Sequence, residues 1–394
     1  MHLCFSPPFA PGSYNPLVGA LVRHDSALRQ VAISYWEGPL PPADEVEGTV
    51  VVGPGAPSSM ASAALRLPER LRQVAYEGMG SRERIRYALE VTRLLMDHPP
   101  PVVVIWDDYK LGPFLRRHTD LASAIVLSQH GRSYHLSPAA ARNVYRLDTL
   151  DAVITLTHAS YRADRSGLYA YEALVLVRPN GVDAERFRPS DDATRAAARA
   201  RWALPEEAPV VLALARLAPS KGVHLLLHSW PRIVDAVPDA VLWLVGSGDG
   251  EYGQGLRQMV DCMSLTSSVR FAGAVDRDQV ADCHAAADLY VFPSVQDEGH
   301  PLSVLEAMAS GLACVASDSP VLRELHTGAV ELVDDPNIED AFVAPVIRLL
   351  TDRDERRALG ERARRQVLER FTLGDYLDEV TAFLVRLAGS RGDR

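Results

Sequence analysis

Short apolar runs alternate with helical patterns along almost the whole chain. The runs are rich in β-branched residues, as is typical of strands that are buried on both faces of a parallel sheet. A first series of predicted strands lies near residues 1–5, 30–34, 49–52, 101–105, 123–127 and 152–156. A second series lies near residues 209–214, 241–245, 269–272, 289–292, 312–316 and 330–333. This alternation predicts an α/β protein with helical crossovers between parallel strands.

The two series of strands predict two successive doubly wound domains of the Rossmann type. A chain of 394 residues also exceeds what one hydrophobic core usually serves. Between the series, a Pro-Asn-Gly turn at residues 179–181 precedes an acidic, alanine-rich stretch that has the character of a boundary. We therefore predict an N-terminal domain over residues 1–188 and a C-terminal domain over residues 189–371. The helical pattern over 372–394 has no strand after it and is expected to cap structure already built.

Composition and charge narrow the class of protein. Hydrophobic residues make up 47% and charged residues 23%, which is typical of a folded protein. Cys4, Cys262, Cys283 and Cys314 show no close pairing, and no signal peptide or long apolar segment is found, so we expect a cytoplasmic protein that is not exported. The net charge is -10, and the excess acid lies in the second half. A basic footprint for nucleic acid is absent, so no nucleic-acid partner is expected.

The stretch DEGHPLSVLEAMASG (297–311) is the first candidate site, because two glutamates flank the start of an apolar helix. The free N–H groups of that helix start, from about Gly299 to Ser303, can bind an anion or sugar hydroxyls. Glu298 precedes these groups and Glu306 lies inside the helix, so the two carboxylates can reach two parts of one ligand. A carboxylate also accepts the two hydrogen bonds that a vicinal diol offers. In the alternative interpretation, Glu298 only favours the helix dipole and Glu306 faces water.

Two further strand-to-helix loops carry candidate residues. In RLAPSKG (216–222), Arg216 and Lys221 can clamp a diphosphate with help from a helix dipole, although solvated surface charges would look the same. Gly246 and Gly248 follow another strand and would let the backbone approach a phosphate. Their spacing is not G-x-G-x-x-G and no acidic residue follows at the expected distance, which argues against a nicotinamide-dependent dehydrogenase.

In the first half, two predicted strands end in polar residues. His130 follows one strand, and Asp107 and Asp108 follow another. The carboxyl ends of strands face the crevice where doubly wound sheets bind ligands. A lone histidine is usually structural, however, and paired aspartates usually belong to a loop or a helix cap.

Taken together, these motifs resemble those of the retaining glycosyltransferases of the two-Rossmann (GT-B) type, the large group 1 or family 4 class. The resemblance covers essentially the whole chain, in order. It is carried by His130, by PNGVD (179–183), by RLAPSKG (216–222) as R-L-x-x-x-K-G, and by E-x7-E from Glu298 to Glu306. The chain departs from the family pattern at Ala215, where glycine is common, at His300, where an aromatic such as Phe is usual, and at PGSYNP (11–16), which replaces a Gly-Gly turn.

The resemblance implies two Rossmann-like domains that face each other across a cleft, with the final helix returning to the first domain. The N-terminal domain would bind the acceptor and the C-terminal domain the nucleotide sugar. Glu306 would hold the ribose diol, and Glu298 the donor sugar or the charge at its anomeric centre. The implied catalytic residues are Glu298, His130, Arg216 and Lys221. The implied donor-binding residues are Glu306, Gly299, His300, Leu302, Ser303, Gly246 and Gly248.

The resemblance also implies a hexosyltransferase that retains the anomeric configuration. We expect no cofactor and no metal, since Arg216, Lys221 and a helix N-terminus meet the diphosphate charge of the donor. A UDP-sugar is favoured as the co-substrate. A catalytically silent nucleotide-sugar-binding or regulatory subunit, or a nucleotide-sugar epimerase of related fold, is the alternative.

For the acceptor we predict a small polar molecule near His130, Asp107 and Asp108, of the kind found in secondary metabolism. Paired carboxylates would suit a cationic acceptor such as an amino sugar. The competing hypothesis is a lipid-linked acceptor at a membrane, for which the arginine-rich segment 66–96 would serve. Glutamates are interleaved with those arginines, which is more typical of a solvated helix face than of a membrane anchor.

Overall fold

The computed structural model describes residues 174–392, with the exception of positions 249, 297, 338 and 339. Of the preceding residues it describes 2–5, 31–35, 49–52, 100–106, 111–120, 123–129 and 150–160, together with helical positions 17, 20, 21, 24, 91–93, 95 and 96. The chain divides into two compact units. The first consists of Met1–Pro179 and Tyr376–Arg394, and the second of Asn180–Asp375.

The first unit contains a seven-stranded parallel sheet with the order β3-β2-β1-β4-β5-β6-β7. Its strands are β1 His2–Phe5, β2 Val31–Tyr35, β3 Thr49–Val52, β4 Val102–Trp106, β5 Ala124–Gln129, β6 Ala152–Thr155 and β7 Leu174–Val177. Helix α1, Leu111–His118, connects β4 and β5. The six predicted strands are confirmed, but β7 was not predicted. It is a four-residue edge strand that begins at the exposed Leu174, and such a short run carries little periodic signal.

The second unit contains a six-stranded parallel sheet with the order β10-β9-β8-β11-β12-β13. Its strands are β8 Val210–Leu214, β9 Val241–Val245, β10 Val269–Gly273, β11 Leu289–Phe292, β12 Ala313–Ser317 and β13 Glu331–Val333. These are the six strands of the second predicted series. The strand order reverses between β8 and β11, and such a reversal opens a crevice at the carboxyl ends of the strands.

Helices cover both faces of this second sheet. They are α2 Asp192–Arg201, α3 Val223–Ala236, α4 Glu251–Cys262, α5 Val280–Ala286, α6 Leu302–Ala309, α7 Pro320–His326, α8 Val343–Thr351 and α9 Arg353–Arg370. Successive residues of each strand point to opposite faces. In β9, Trp243 therefore joins one buried cluster, while Leu242 and Leu244 join the other. Two apolar cores, one on each face, make this a doubly wound domain.

The boundary between the units lies nine residues before the predicted position at 188/189. The segment after Pro179 belongs to the second unit because it is hydrogen-bonded and packed there. The backbone N–H of Val182 donates to Phe371 O at 2.9 Å, and Val182 O accepts from the N–H of Leu373 at 2.9 Å. Phe187 is buried in one of the two cores. These contacts with distant segments place residues 180–188 in the second unit.

The last helix, α10 Leu373–Gly392, carries the chain back to the first unit, to which residues 376–394 belong. Two charged contacts hold it there. His24 Nε2 lies 2.9 Å from Asp378 Oδ1, and Arg178 Nε lies 3.4 Å from Glu379 Oε2. No helix among the described residues is both long and apolar enough to cross a lipid bilayer.

Candidate functional site

The candidate residues of the second unit converge at one edge of its sheet. Strands β8, β9 and β11 are adjacent and parallel, so the loops that follow them emerge side by side. These loops carry Arg216 and Lys221 after β8, Gly246 and Gly248 after β9, and Glu298 after β11. Because β8 and β11 flank the reversal of strand order, this edge is where a doubly wound sheet is expected to bind its ligand.

Lys221 and Glu298 form an ion pair between the loops that follow β8 and β11. Lys221 Nζ donates to Glu298 Oε1, and the Ser294 hydroxyl donates to the same oxygen at 3.1 Å. The two charged side chains are only 17% and 20% exposed. The backbone supports the arrangement, since the N–H of Val295 donates to Ser220 O at 3.0 Å. Two donors thus hold one oxygen of the carboxylate in place.

Arg216 is exposed, and none of the described residues forms an ion pair with its side chain. Its position is set by the glycines that follow β9. Gly246 has φ +149° and packs so closely that a Cβ there would lie 1.8 Å from Ala215 O, while a Cβ on Gly248 would meet the Leu217 side chain at 2.5 Å. Both glycines therefore let the loop of Arg216 lie against the end of β9. In this structure they serve that packing directly, and a role in phosphate binding stays a prediction.

Gly222 ends the loop that carries Lys221. The structure forms a short 3₁₀ helix over Pro219–Lys221 and begins α3 only at Val223. Gly222 adopts φ +65°, and a Cβ there would lie 1.8 Å from Pro293 O. Only glycine allows this close approach of the Lys221 loop to the segment after β11.

Glu306 lies in α6 and is 14% exposed on its side chain. Burial raises the pKa of this carboxyl to about 7, although Arg277 and Arg186 oppose the shift. His284 Nε2 lies 4.0 Å from Glu306 Oε2, and burial lowers the pKa of that imidazole to about 3, so His284 is neutral at pH 7. Glu306 is therefore a carboxyl group that ionises near neutral pH.

Tyr290 feels the charge of both glutamates and was not identified from the sequence. Its side chain is fully buried in β11, and its hydroxyl donates to Leu214 O at 3.3 Å. Burial raises its pKa, a hydrogen bond with Ser303 opposes this, and the charges of Glu306 and Glu298 add to the increase. An apolar strand run with one tyrosine gives no indication of this environment, because only the tertiary structure brings Tyr290 near both glutamates.

The start of α6 supplies the N–H groups that the sequence predicted. Pro301 occupies the N-cap position, and the first intrahelical bonds are made by Val304 and Leu305, so the N–H groups of Leu302 and Ser303 precede them. Gly299 and Glu298 lie immediately before. The helix ends at Ala309, and Gly311 follows with φ +75°, a left-handed conformation that suits glycine.

His300 differs from the predicted donor contact. Its ring is buried at 3% exposure and faces His326 and Phe371 in the interior. Its carbonyl accepts a hydrogen bond from Asn180 Nδ2 at 2.8 Å. The ring therefore occupies the place of the aromatic residue that is usual in the family, and a donor would meet only the backbone of this residue.

Three predicted residues, His130, Asp107 and Asp108, lie outside the described residues. The strands before them are described: β4 ends at Trp106 and β5 at Gln129. Among the described residues, no three His, Cys, Asp or Glu side chains come together in the way that a metal site requires.

Comparison with known proteins shows the family to which this chain belongs. The family model for glycosyl transferases group 1 matches residues 194–366. The chain is 32% identical over 255 residues to the GDP-mannose-dependent alpha-(1-6)-phosphatidylinositol monomannoside mannosyltransferase of Mycobacterium tuberculosis. The matched region covers 62% of this chain and 65% of the relative. It therefore spans just under two thirds of that protein. A protein of the same name from Mycolicibacterium smegmatis is 31% identical over 268 residues, covering 66% of this chain and 69% of the relative.

Among solved structures, the sucrose-phosphate synthase of Thermosynechococcus elongatus superposes with a TM-score of 0.76 at 20% identity, over 99% of each chain. A likeness at this identity bears on the fold, which is the two-domain α/β fold of the GT-B type. The chain belongs to the group 1 glycosyltransferases.

Proposed function

We propose that this protein is a retaining, metal-independent glycosyltransferase that moves a mannosyl group from GDP-mannose to a lipid-linked acceptor of the phosphatidylinositol type. The observation that carries the chemistry is the Lys221–Glu298 pair at the switch point of the second sheet. Around it lie Arg216, Glu306 and the N-terminus of α6. These groups supply positive charge for a diphosphate and carboxylates for hydroxyl groups.

The arrangement supports the following reaction. The bond between the anomeric carbon and the diphosphate oxygen breaks, so negative charge develops on the phosphate and positive charge on the sugar. Lys221, Arg216 and the α6 N–H groups stabilise the phosphate, and Glu298 stabilises the sugar. The acceptor oxygen then bonds to the anomeric carbon from the same face. Its proton moves to the departing phosphate oxygen.

The donor and acceptor in this proposal are supported by the names of the mycobacterial relatives, both GDP-mannose-dependent mannosyltransferases of a phosphatidylinositol mannoside. The sequence alone favoured a UDP-sugar and a small polar acceptor. Neither choice is supported by those names, so the proposal replaces both. One observation still favours a soluble acceptor, namely the glutamates that interrupt the arginine-rich segment 66–96.

Two measurements test the proposal. Thermal unfolding with GDP-mannose, UDP-glucose or ADP-glucose should show stabilisation by the first alone, amounting to about 2.7 kcal/mol at 100 times the dissociation constant. Release of GDP should then be followed with phosphatidylinositol vesicles, with soluble inositol and with an amino sugar. We expect GDP release coupled to the vesicles. Stabilisation by UDP-glucose alone, or transfer only to a soluble acceptor, would overturn the corresponding half of the proposal.

A further inference from the structure

A cavity of about 1150 Å³ lies at the opposite edge of the second sheet from the candidate donor site. It is bounded by the amino ends of β8, β11 and β12 and by helices α2 and α9. The loops of Arg216 and Glu298 follow the carboxyl ends of β8 and β11. With five residues in β8, about 15 Å of strand separates the two edges. A ligand in this cavity would therefore not compete for the atoms of the donor site.

Arginines gather in this cavity around one buried carboxylate, Asp288. Arg195 donates to Asp288 Oδ1, while Arg199 Nη2 and the N–H of Val210 donate to Oδ2 at 2.6 and 2.7 Å. The carboxyl group is only 9% exposed and is already well supplied with donors. Arg356 interacts electrostatically with the same carboxylate.

Some of these arginines are structural. Arg199 donates from Nε to Ala286 O and from Nη1 to Pro205 O and Ala208 O, each at 3.0 Å, so its guanidinium is fully used. Arg364 likewise donates to Ala184 O at 2.9 Å and Phe187 O at 2.7 Å. These two residues hold the walls of the cavity in place.

Other guanidinium groups remain available to a ligand. Arg353 and Arg365 project from α9, line the cavity and are exposed, and among the described residues neither has an acidic partner within 4 Å. Arg356 uses Nη1 on Leu349 O and Leu350 O at 2.6 and 3.0 Å. Burial lowers the pKa of Arg356, the charge of Asp288 opposes this shift, and the nearby charges of Arg353 and Arg195 add to the lowering. The cations around Asp288 thus outnumber the carboxylate and repel one another, and a bound anion would relieve that repulsion.

The acidic residues of the cavity limit what can bind. Glu361 is paired with Arg357 at 2.9 Å, whereas Asp192, Glu206 and Glu207 are exposed. Exposed carboxylates of this kind disfavour an extended polyanion such as nucleic acid, but they can accept hydrogen bonds from hydroxyl groups. Guanidinium groups match phosphate in a bidentate geometry.

We propose that this cavity is a second ligand site, which takes a small phosphate-bearing anion through Arg353, Arg365 and the free donors of Arg195 and Arg356. The phosphate can come from a soluble phosphate ester or from a lipid headgroup. The site does not depend on the donor assignment, since none of these four arginines belongs to the candidate donor site. His284 also lines the cavity and lies 4.0 Å from Glu306, but it is not one of the proposed anion ligands.

Titration calorimetry with inorganic pyrophosphate tests the site. We expect two binding events in the unaltered protein, one at the donor site and one in the cavity. The double variant Arg353→Ser/Arg365→Ser should lose one event or bind it about a hundredfold more weakly, because it removes two charge-assisted contacts and each is worth about tenfold or more in affinity. Lys221→Ala should lose the other. Arg362→Ser, an exposed arginine on the same helix that does not line the cavity, is the matched control and should bind like the unaltered protein.

Vesicle flotation separates the two sources of phosphate. Weaker retention of the Arg353→Ser/Arg365→Ser variant on phosphatidylinositol vesicles, but not on phosphatidylcholine vesicles, would identify a lipid headgroup. If the variant and the unaltered protein are retained equally on the vesicles, but the variant binds pyrophosphate more weakly in calorimetry, the ligand is a soluble phosphate ester. If the double variant matches the unaltered protein in both assays, or if Lys221→Ala abolishes all pyrophosphate binding, the cavity is not an anion site.

Discussion

The Nε2 atoms of His300 and His326 lie 2.9 Å apart in the interior of the second unit. On the far side of His326, Nδ1 lies 2.7 Å from Gln366 Oε1. An amide oxygen accepts, so Nδ1 of His326 carries the proton, and its Nε2 must accept from Nε2–H of His300. The His326 imidazole is thereby neutral. This chain of hydrogen bonds ties the loop of Glu298 to α7 and α9, and Asn180 ties the same loop to the start of the unit.

The buried imidazole of His326 predicts a loss of stability in acid. Burial lowers its pKa to about 4, with a further contribution from Arg370 and opposition from Gln366. In the unfolded chain it would titrate near 6.5. Between these values the unfolded chain binds more protons, so the free energy of unfolding falls as the pH drops from 6.5 to 4. His284, with a pKa of about 3, acts in the same direction.

We expect the free energy of unfolding of His326→Gln to depend less steeply on pH between 4 and 6.5, as measured by urea unfolding. The difference in slope should reach up to roughly 1.4 kcal/mol per pH unit, because the variant takes up one proton fewer on unfolding. His228→Gln is the control, since His228 is exposed on α3 and should leave the slope unchanged. Parallel curves for His326→Gln and the unaltered protein would show that His326 is not a buried neutral histidine.

Glu306 predicts that donor binding strengthens as the pH rises. Its pKa of about 7 means that much of the carboxyl is protonated at pH 6, and only the ionised form accepts two hydrogen bonds from a diol. The KM for the nucleotide sugar should fall up to about tenfold per pH unit below 7 and then level off. Glu306→Gln should raise the KM at pH 8 with little change in kcat, because a ribose contact is shared by ground and transition states.

The stability of Glu306→Gln provides an independent check of that pKa. The folded pKa is raised above its unfolded value of 4.5, so the group's contribution to stability is present below pH 4.5 and is lost as the pH rises through 7. The variant should therefore lose less stability than the unaltered protein between pH 5 and 8. A KM that does not depend on pH, together with identical stability profiles, would contradict the raised pKa.

Glu298→Gln should reduce kcat by roughly 10²–10³ while the fold survives, because a group that stabilises developing charge is lost without a change in shape. The glutamine can keep an acceptor for Lys221 and Ser294. Gln296→Ala, in the same exposed loop, should turn over normally. Near-normal kcat for Glu298→Gln would remove this residue from the catalytic site.

Gly222→Ala should destabilise the second unit by about 3 kcal/mol or more in urea unfolding. Alanine is strained at φ +65°, and its Cβ would collide with the Pro293 carbonyl, so the loops of Lys221 and Glu298 would move apart. Gly255→Ala is the matched control, since a Cβ there meets nothing within 4 Å inside α4 and should add roughly 0.5–1 kcal/mol. Equal stability of the two variants would show that the Gly222 contact is not needed.

Transfer should be independent of divalent metal ions, because Arg216, Lys221 and the N-terminus of α6 meet the charge of the diphosphate. The rate of nucleotide release in EDTA should equal the rate in Mg²⁺. A rate that falls in EDTA and returns with Mg²⁺ or Mn²⁺ would contradict this assignment.

The sequence by itself determined the elements and the identity of the site segments. The central parallel strands gave a strong signal because they are buried on both faces and appear in the sequence as continuous apolar runs. Strand β7 gave a weak signal because it is short and lies half-exposed at an edge of the sheet. The sequence also identified the four candidate donor-site residues, because each lies close along the chain to a strand end or in the helix that follows it. These residues are Glu298, Glu306, Arg216 and Lys221.

The tertiary structure decided which of these residues meet. Lys221 and Glu298 are 77 positions apart and become partners only because β8 and β11 are neighbours at the reversal of strand order. Packing between distant segments also causes the burial that raises the pKa of Glu306, the electrostatic effect of both glutamates on Tyr290, and the placement of the His300 ring in the core. Periodicity reports the environment of each residue along its own element, whereas contacts between elements follow from the order in which the sheet assembles them.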